Sequence, residues 1–113
     1  MTPPTLLVAD DHPLFRAAVL HALASRFPGV ATVEASSVST LGVALEQHPD
    51  VALVLLDLAM PGARGLSALA LLRGERPELP VVVISSNDDP RVIRRAQQFG
   101  AAGFIPKSSQ VET

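Results

Sequence analysis

Short unbroken apolar blocks alternate along this chain with longer stretches in which apolar residues recur every three or four positions. The blocks are Thr5 to Asp10 (TLLVAD), Val51 to Asp57 (VALVLLD), Val81 to Ser85 (VVVIS) and the shorter Gly103 to Pro106 (GFIP). An unbroken apolar block of this length predicts a strand covered on both faces. Val30 to Ala35 (VATVEA) alternates instead, with Val30, Thr32 and Glu34 against Ala31, Val33 and Ala35. Alternation predicts a strand with one polar face at a sheet edge.

Between these strands the period changes to that of a helix. From Pro13 to about Arg26 the spacing turns Phe15, Ala18, Val19, Ala22 and Leu23 inward, and Pro28-Gly29 ends the helix. Ser37 or Ser39 caps the next, with Leu41, Ala44 and Leu45 inward and Gly42 as its weak point. His48-Pro49-Asp50 closes it. A third helix runs from Leu66 to about Arg73 and is stopped by Gly74 and Pro77. Asp88 or Asp89 caps a fourth, opened by Pro90, with Val92, Ile93, Ala96 and Phe99 inward and Gly100 as its C-terminal cap. Near the end, Ser109-Gln110-Val111-Glu112 spells a capping box. It announces a fifth helix, so the chain is expected to be a domain cut before its last helix. Apolar surface on the first, third and fifth strands would then be bare, an association hazard. Alternating β and α elements predict an α/β fold, a parallel sheet with helices on both faces.

Composition narrows the function classes. The chain has 113 residues, 48% hydrophobic and 18% charged, enough for one domain with a real core. Net charge is −2 and the nine Lys and Arg are scattered, so no nucleic-acid footprint is expected on this piece. Cysteine is absent, which excludes disulfides and thiolate metal sites. No apolar run reaches membrane-spanning length and no signal peptide is seen, so a cytoplasmic location is expected. Neither GxGxxG nor GxxxxGK[ST] occurs, which disfavours dinucleotide and P-loop sites.

In such sheets ligands bind at the C-terminal ends of the strands. Asp10 and Asp11, Asp57, Ser85 and Lys107 all fall there. A carboxylate at the end of a buried strand is costly unless water, a metal or a partner reaches it. Crowded carboxylates repel unless a cation sits among them, and oxygen ligands suit Mg2+. Lys107 can hold an anion and Ser85 can donate to one. The set suits a phosphoryl group, with a carboxylate as its acceptor.

The motifs VADDHPLFR, LLDLAMPG, VVVISS and GFIPKSS, in this order and spacing, resemble the receiver domain of two-component response regulators. The wording DDHPLFR and IPKSS is similar to the LuxR/NarL-like branch, whose members usually carry a C-terminal helix-turn-helix domain that binds DNA. The likeness covers essentially all of residues 1–113. It implies a flavodoxin-like, CheY-like doubly wound sheet of strand order 2-1-3-4-5. It implies Asp57 as phosphoacceptor, with Asp11 binding Mg2+ (or Mn2+) directly, Asp10 largely through water, and the main-chain carbonyl of Ala59 as a further ligand. Lys107 would pair with phosphoryl oxygens. Ser85 would swing toward the group, and Phe104, the switch aromatic, would turn inward behind it. A sensor histidine kinase would be the donor, and the changed surface would bias homodimerisation or other self-association or release an attached effector, and so regulate transcription. The outer positions Arg16 and Leu20 of the first helix would be kinase contacts.

Some positions depart from the family pattern. By the same resemblance, Ala59 and Asn87, each two residues beyond a site residue, would flank the phosphoryl group and tune dephosphorylation. Ala59 cannot hold the attacking water through its side chain, so slow self-dephosphorylation is expected. Pro106 precedes Lys107 rather than following it, which leaves the geometry of the Lys107–Ser108 peptide open. Phe104 lacks a hydroxyl, so its switch must act by packing.

Plainer readings exist. Asp10 and Asp11 could simply cap the first helix. Ser85 could be a strand-end residue only. His12 is expected to line the rim, since an oxygen-rich Mg2+ site needs no imidazole, and His21 and His48 to be solvated. The chain is not expected to be an enzyme beyond phosphoryl transfer to itself. A phosphorylation-independent dimerisation or docking module is the alternative, and a metal-dependent phosphohydrolase the weaker third.

Overall fold

The computed structural model describes residues 4–62, 66–87 and 89–107. The capping box at 109–112, Asp88 and the Lys107–Ser108 peptide lie outside the described residues. The elements alternate as β1 (Thr5–Ala9), α1 (Pro13–Arg26), β2 (Ala31–Ala35), α2 (Val38–Gln47), β3 (Val51–Asp57), α3 (Ser67–Glu75), β4 (Val81–Ser85), α4 (Pro90–Gln98) and β5 (Gly103–Pro106). The sheet is parallel in the order β2-β1-β3-β4-β5, as the resemblance implies. Its alternating strand β2 does lie at an edge.

Side chains on a strand alternate between faces, so β1 sends Leu7 and Ala9 to one side and Val8 to the other. On the first side α2, α3 and α4 close a large core around Leu7, Val54, Leu56, Leu69, Val81 and Val83, all fully buried. The second side carries α1 and a small cluster of Val8, Leu55 and Ile84.

Helix ends follow the local chemistry. Ser37 caps α2: its hydroxyl accepts the Thr40 N–H at 3.1 Å and the Thr40 hydroxyl returns a bond to the Ser37 N–H at 2.9 Å. Gly42 does not break this helix. Asp89 caps α4, accepting the Arg91 N–H at 2.9 Å. Beyond α4, Gly100 takes φ +94° while its N–H reaches the Gln97 carbonyl and that of Ala101 the Ala96 carbonyl. That is a Schellman closure, and it needs glycine.

The burial of several helix residues differs from the spacing. Ala18 and Ala22 on α1 are exposed; the face that packs is Phe15, Val19, Leu20 and Leu23. Leu20 is therefore a packing residue and not an outer one. Phe99 is 42% exposed, because α4 ends at Gln98 and Phe99 sits in its cap. Among the described strand residues, Val8 on β1 and Leu55 on β3 lie buried beneath α1, while Ile105 on β5 stands 45% exposed.

Candidate functional site

Strand register decides which side chains meet at the C-terminal edge. Ala9 pairs with Leu56, so Asp10 and Asp57, one residue on, stand side by side. Asp57 pairs with Ile84 and Ser85 with Pro106, which brings Ser85 and Lys107 to the same edge. Two further bonds hold the strand ends in line. The Asp10 N–H donates to the Ala35 carbonyl at 2.9 Å, and the Lys107 N–H to the Ser85 carbonyl at 2.7 Å.

The buried acids are compensated from one side. Asp10 is 0% and Asp57 1% exposed. Burial this deep costs several kcal/mol per ion unless a counter-charge and hydrogen bonds repay it. The Lys107 ammonium lies 3.2 Å from Asp57 Oδ2 and 3.0 Å from Asp10 Oδ2. It also sits 4.7 Å from the Phe15 ring centre, a cation–π contact. Asp57 Oδ1 accepts the Ala59 N–H at 3.1 Å, and Asp10 Oδ1 the His12 N–H at 2.7 Å. These bonds fix both carboxylates before any ligand arrives.

One ammonium does not balance these acids. Asp10 Oδ2 and Asp11 Oδ1 are buried atoms with no hydrogen bond. The Lys107–Asp10 approach is thus an ion pair by distance, without the alignment of a hydrogen bond. Atoms of Asp10, Asp11, His12 and Asp57 lie within 4.8 Å of one another. Orphaned carboxylate oxygens converging in a charge-deficient pocket fit a hard divalent cation. The helix-capping alternative fails: the N-cap of α1 is His12, and no side chain caps it.

Across Asp57 the site is open. Leu58, Ala59, Leu66, Ser85, Asn87 and Arg95 border a cavity of about 440 Å3. Ser85 Oγ is buried and accepts the Asn87 N–H at 3.0 Å. That bond uses a lone pair and leaves the hydroxyl proton free to donate. Phe104, half-buried, packs against the larger core.

Geometry thus gathers Asp10, Asp11, Asp57 and Lys107 into one cluster, with Ser85, Ala59 and Asn87 on its other flank. It also changes the part played by other residues. His12 lines the rim and also reaches inward: its Nδ1 lies 2.8 Å from Lys107 Nζ and 3.0 Å from Asp10 Oδ1. Arg16 is not a free outer residue. Its guanidinium donates to the Asp10 carbonyl, while Nε reaches Glu34 Oε1 at 2.8 Å. Arg16 thereby ties the acidic loop to the neighbouring edge strand. The spacing gave no signal for Phe15 as the floor beneath Lys107.

Residues 6–113 match the family described as response regulator receiver domain. The chain is 45% identical over 104 residues to the glycerol metabolism activator of Pseudomonas putida, covering 92% of this chain and 47% of that protein. It is 36% identical over 110 residues to the nitrate/nitrite response regulator protein NarL of Escherichia coli strain K12, covering 97% and 50%. It therefore spans about half the length of these relatives. Among solved structures, the signal receiver domain of the putative response regulator NarL from Mycobacterium tuberculosis superposes with a TM-score of 0.80 at 34% identity, covering 97% of this chain and 88% of that one.

Proposed function

The chain belongs to the response regulator receiver domain family, and from that premise we propose that Asp57 accepts a phosphoryl group in a divalent-cation-dependent reaction that switches the surface around Ser85 and Phe104. The observation that carries this is the pairing of buried Asp57 with Lys107 at 3.2 Å, beside the orphaned oxygens of Asp10 and Asp11. A carboxylate oxygen of Asp57 attacks phosphorus. The bond from phosphorus to the donor breaks, and the leaving group keeps its electron pair. The donor is the phosphohistidine of a sensor kinase, with small acyl phosphates as substitutes.

Each residue has work in that transfer. Ala59 N–H and Lys107 aim the carboxylate. Lys107 then follows the phosphoryl oxygens, where its charge counters the negative charge that develops. Asp10, Asp11, Asp57 and the main-chain carbonyl of Ala59 would hold Mg2+ or Mn2+. When bound, such an ion neutralises the acids and polarises the phosphoryl oxygens. The free proton of Ser85 donates to the phosphoryl group across the open cavity. Phe104 repacks as Ser85 moves, and this shifts a population of surface states. Ala59 and Asn87 set how readily water reaches phosphorus.

In a parent protein about twice as long, the switched surface would control self-association and a C-terminal DNA-binding domain, and so transcription in the cytoplasm. Among the described residues no helix is long and apolar enough to cross a membrane.

The test is beryllofluoride or acetyl phosphate with Mg2+, read by NMR of Phe104 and by intact mass. A Mg2+-dependent response lost in Asp57→Ala supports the proposal. No response in the parent chain would favour a docking module that phosphate does not regulate.

A further inference from the structure

We propose that His12 is a metal-ligating residue of this site and tilts its preference from Mg2+ toward divalent ions that take nitrogen ligands, Co2+, Ni2+ and Zn2+. The inference rests on the reading of the strand ends as a cation-dependent phosphoacceptor. It adds a side chain that the oxygen-only ligand set does not use.

Distances come first. His12 Nδ1 lies 3.0 Å from Asp10 Oδ1, 3.4 Å from Asp11 Oδ1 and 3.6 Å from Asp57 Oδ2. Neighbouring ligand atoms on an octahedral ion with bonds near 2.1 Å stand about 3 Å apart. The Asp10 oxygen stands at that spacing from the nitrogen, and those of Asp11 and Asp57 stand somewhat further off.

Hydrogen bonding makes the same point. A neutral ring nitrogen carries either a proton or a lone pair. With a proton, Nδ1 serves Asp10 Oδ1 but turns that proton toward the Lys107 ammonium, 2.8 Å away. With a lone pair, it accepts from Lys107, while Asp10 Oδ1 accepts the His12 backbone N–H at 2.7 Å. That state satisfies both neighbours and keeps the lone pair aimed at the acidic cluster, where a cation can replace the ammonium as its partner. A cation among these atoms takes the lone pair and the carboxylates together, and leaves Lys107 to Asp57 and Phe15.

A separate observation concerns the neighbouring acid. Asp10 is fully buried, and its Oδ2 has no hydrogen bond, facing the Lys107 ammonium at 3.0 Å by charge alone. The ring itself is 56% exposed, so an ion can reach it from solvent. Imidazole suits the later first-row ions, whereas carboxylates alone suit Mg2+ and Mn2+.

Calorimetric titration of the intact chain with Co2+ and with Mg2+ tests the assignment, on the parent, His12→Ala and His12→Gln. The ratio of Co2+ to Mg2+ affinity should fall about tenfold in both variants, with Mg2+ affinity little changed. The 15N signal of the His12 ring should move with Zn2+ and stay with Mg2+. An unchanged ratio, both ions weakened alike, or an unmoved ring signal overturns the assignment. Beryllofluoride with Mg2+ on the same samples separates the two claims. A retained response with an unchanged ratio removes only His12 as a ligand; no response in the parent chain removes the phosphoacceptor reading, even where Co2+ binds. A parent chain that binds neither ion overturns both.

Discussion

Asp57 has two unlike flanks. On one, Lys107, Asp10, His12 and Phe15 are already in contact, and every group is fixed by another. On the other, Ser85, Ala59 and Asn87 border a cavity of about 440 Å3, and Ser85 keeps a proton to give. The crowded flank spends folding energy to hold charge in place. The open flank keeps space and a weak bond that can be exchanged. We infer that the first sets whether Asp57 reacts and the second sets how long the product lasts and who senses it.

The strongest way to break this contrast is Lys107→Ala. Removing one partner of a buried charge pair leaves an uncompensated ion, at a cost of about 3 kcal/mol. Here two buried carboxylates lose their shared ammonium. Urea unfolding in chelator should show that loss, and Mg2+ should recover part of it. Acetyl phosphate labelling of Asp57 should fall sharply as well. Equal stability of variant and parent in chelator would mean that the lysine does not hold the crowded flank together.

On the open flank the same kind of truncation should cost far less. Ser85→Ala loses one neutral bond to the Asn87 N–H, about 1 kcal/mol. Labelling of Asp57 should persist in this variant, because Lys107 and the acids are untouched. The Phe104 ring signals should no longer respond to beryllofluoride. Loss of labelling comparable to that in Lys107→Ala would erase the distinction between the flanks.

A smaller change should sharpen it. Ala59→Asn puts an amide beside the cavity, where it can hold the attacking water. The aspartyl phosphate should decay about threefold faster, a change in barrier below 1 kcal/mol. Phosphate release timed after removal of the donor measures this, and equal decay rates would remove Ala59 as the cause of a long lifetime.

How much of this could be read from the chain alone depended on what kind of force placed each residue. The strands were legible because burial on both faces leaves an unbroken apolar record, as in Val51 to Asp57. The two glycine- and serine-based caps at Gly100 and Ser37 were legible because backbone geometry demands those residues. Ala18 and Ala22 misled because a methyl group fits a core or a surface equally well. Only packing against Val8, Leu55 and Ile84 picks Leu20 over them. Arg16 misled for another reason. A helical wheel gives the direction of its Cβ, yet its long stem carries the guanidinium back to Glu34 and the Asp10 carbonyl. In the site, Asp10, Asp57 and Lys107 were legible as charges ending strands. His12 was legible only as a neighbour of the acids on the rim, and Phe15 not as a site residue at all, because its contact with Lys107 arises from the turn of α1 over the strand ends rather than from any strand.

The smallest expected effect lies at the edge of the open flank, where α4 begins. The Asp89 carboxylate accepts the Arg91 N–H at 2.9 Å and pairs with its guanidinium at 2.9 Å. That side-chain bond to Arg91, then the backbone bond, holds the Asp89 carboxyl below its ordinary 3.8. A group whose folded pKa is depressed stabilises the fold above its unfolded pKa, and that contribution is lost as pH falls through the folded value. The cap should therefore be intact at neutral pH and loosen only in acid, below pH 3.8. NMR of the Arg91 amide against pH reads it directly: the shift should titrate with a midpoint below that of a free aspartate and vanish in Asp89→Asn. If the Arg91 amide titrates no lower than a free aspartate would dictate, or still titrates in Asp89→Asn, the Asp89 cap does not hold this edge of the open flank.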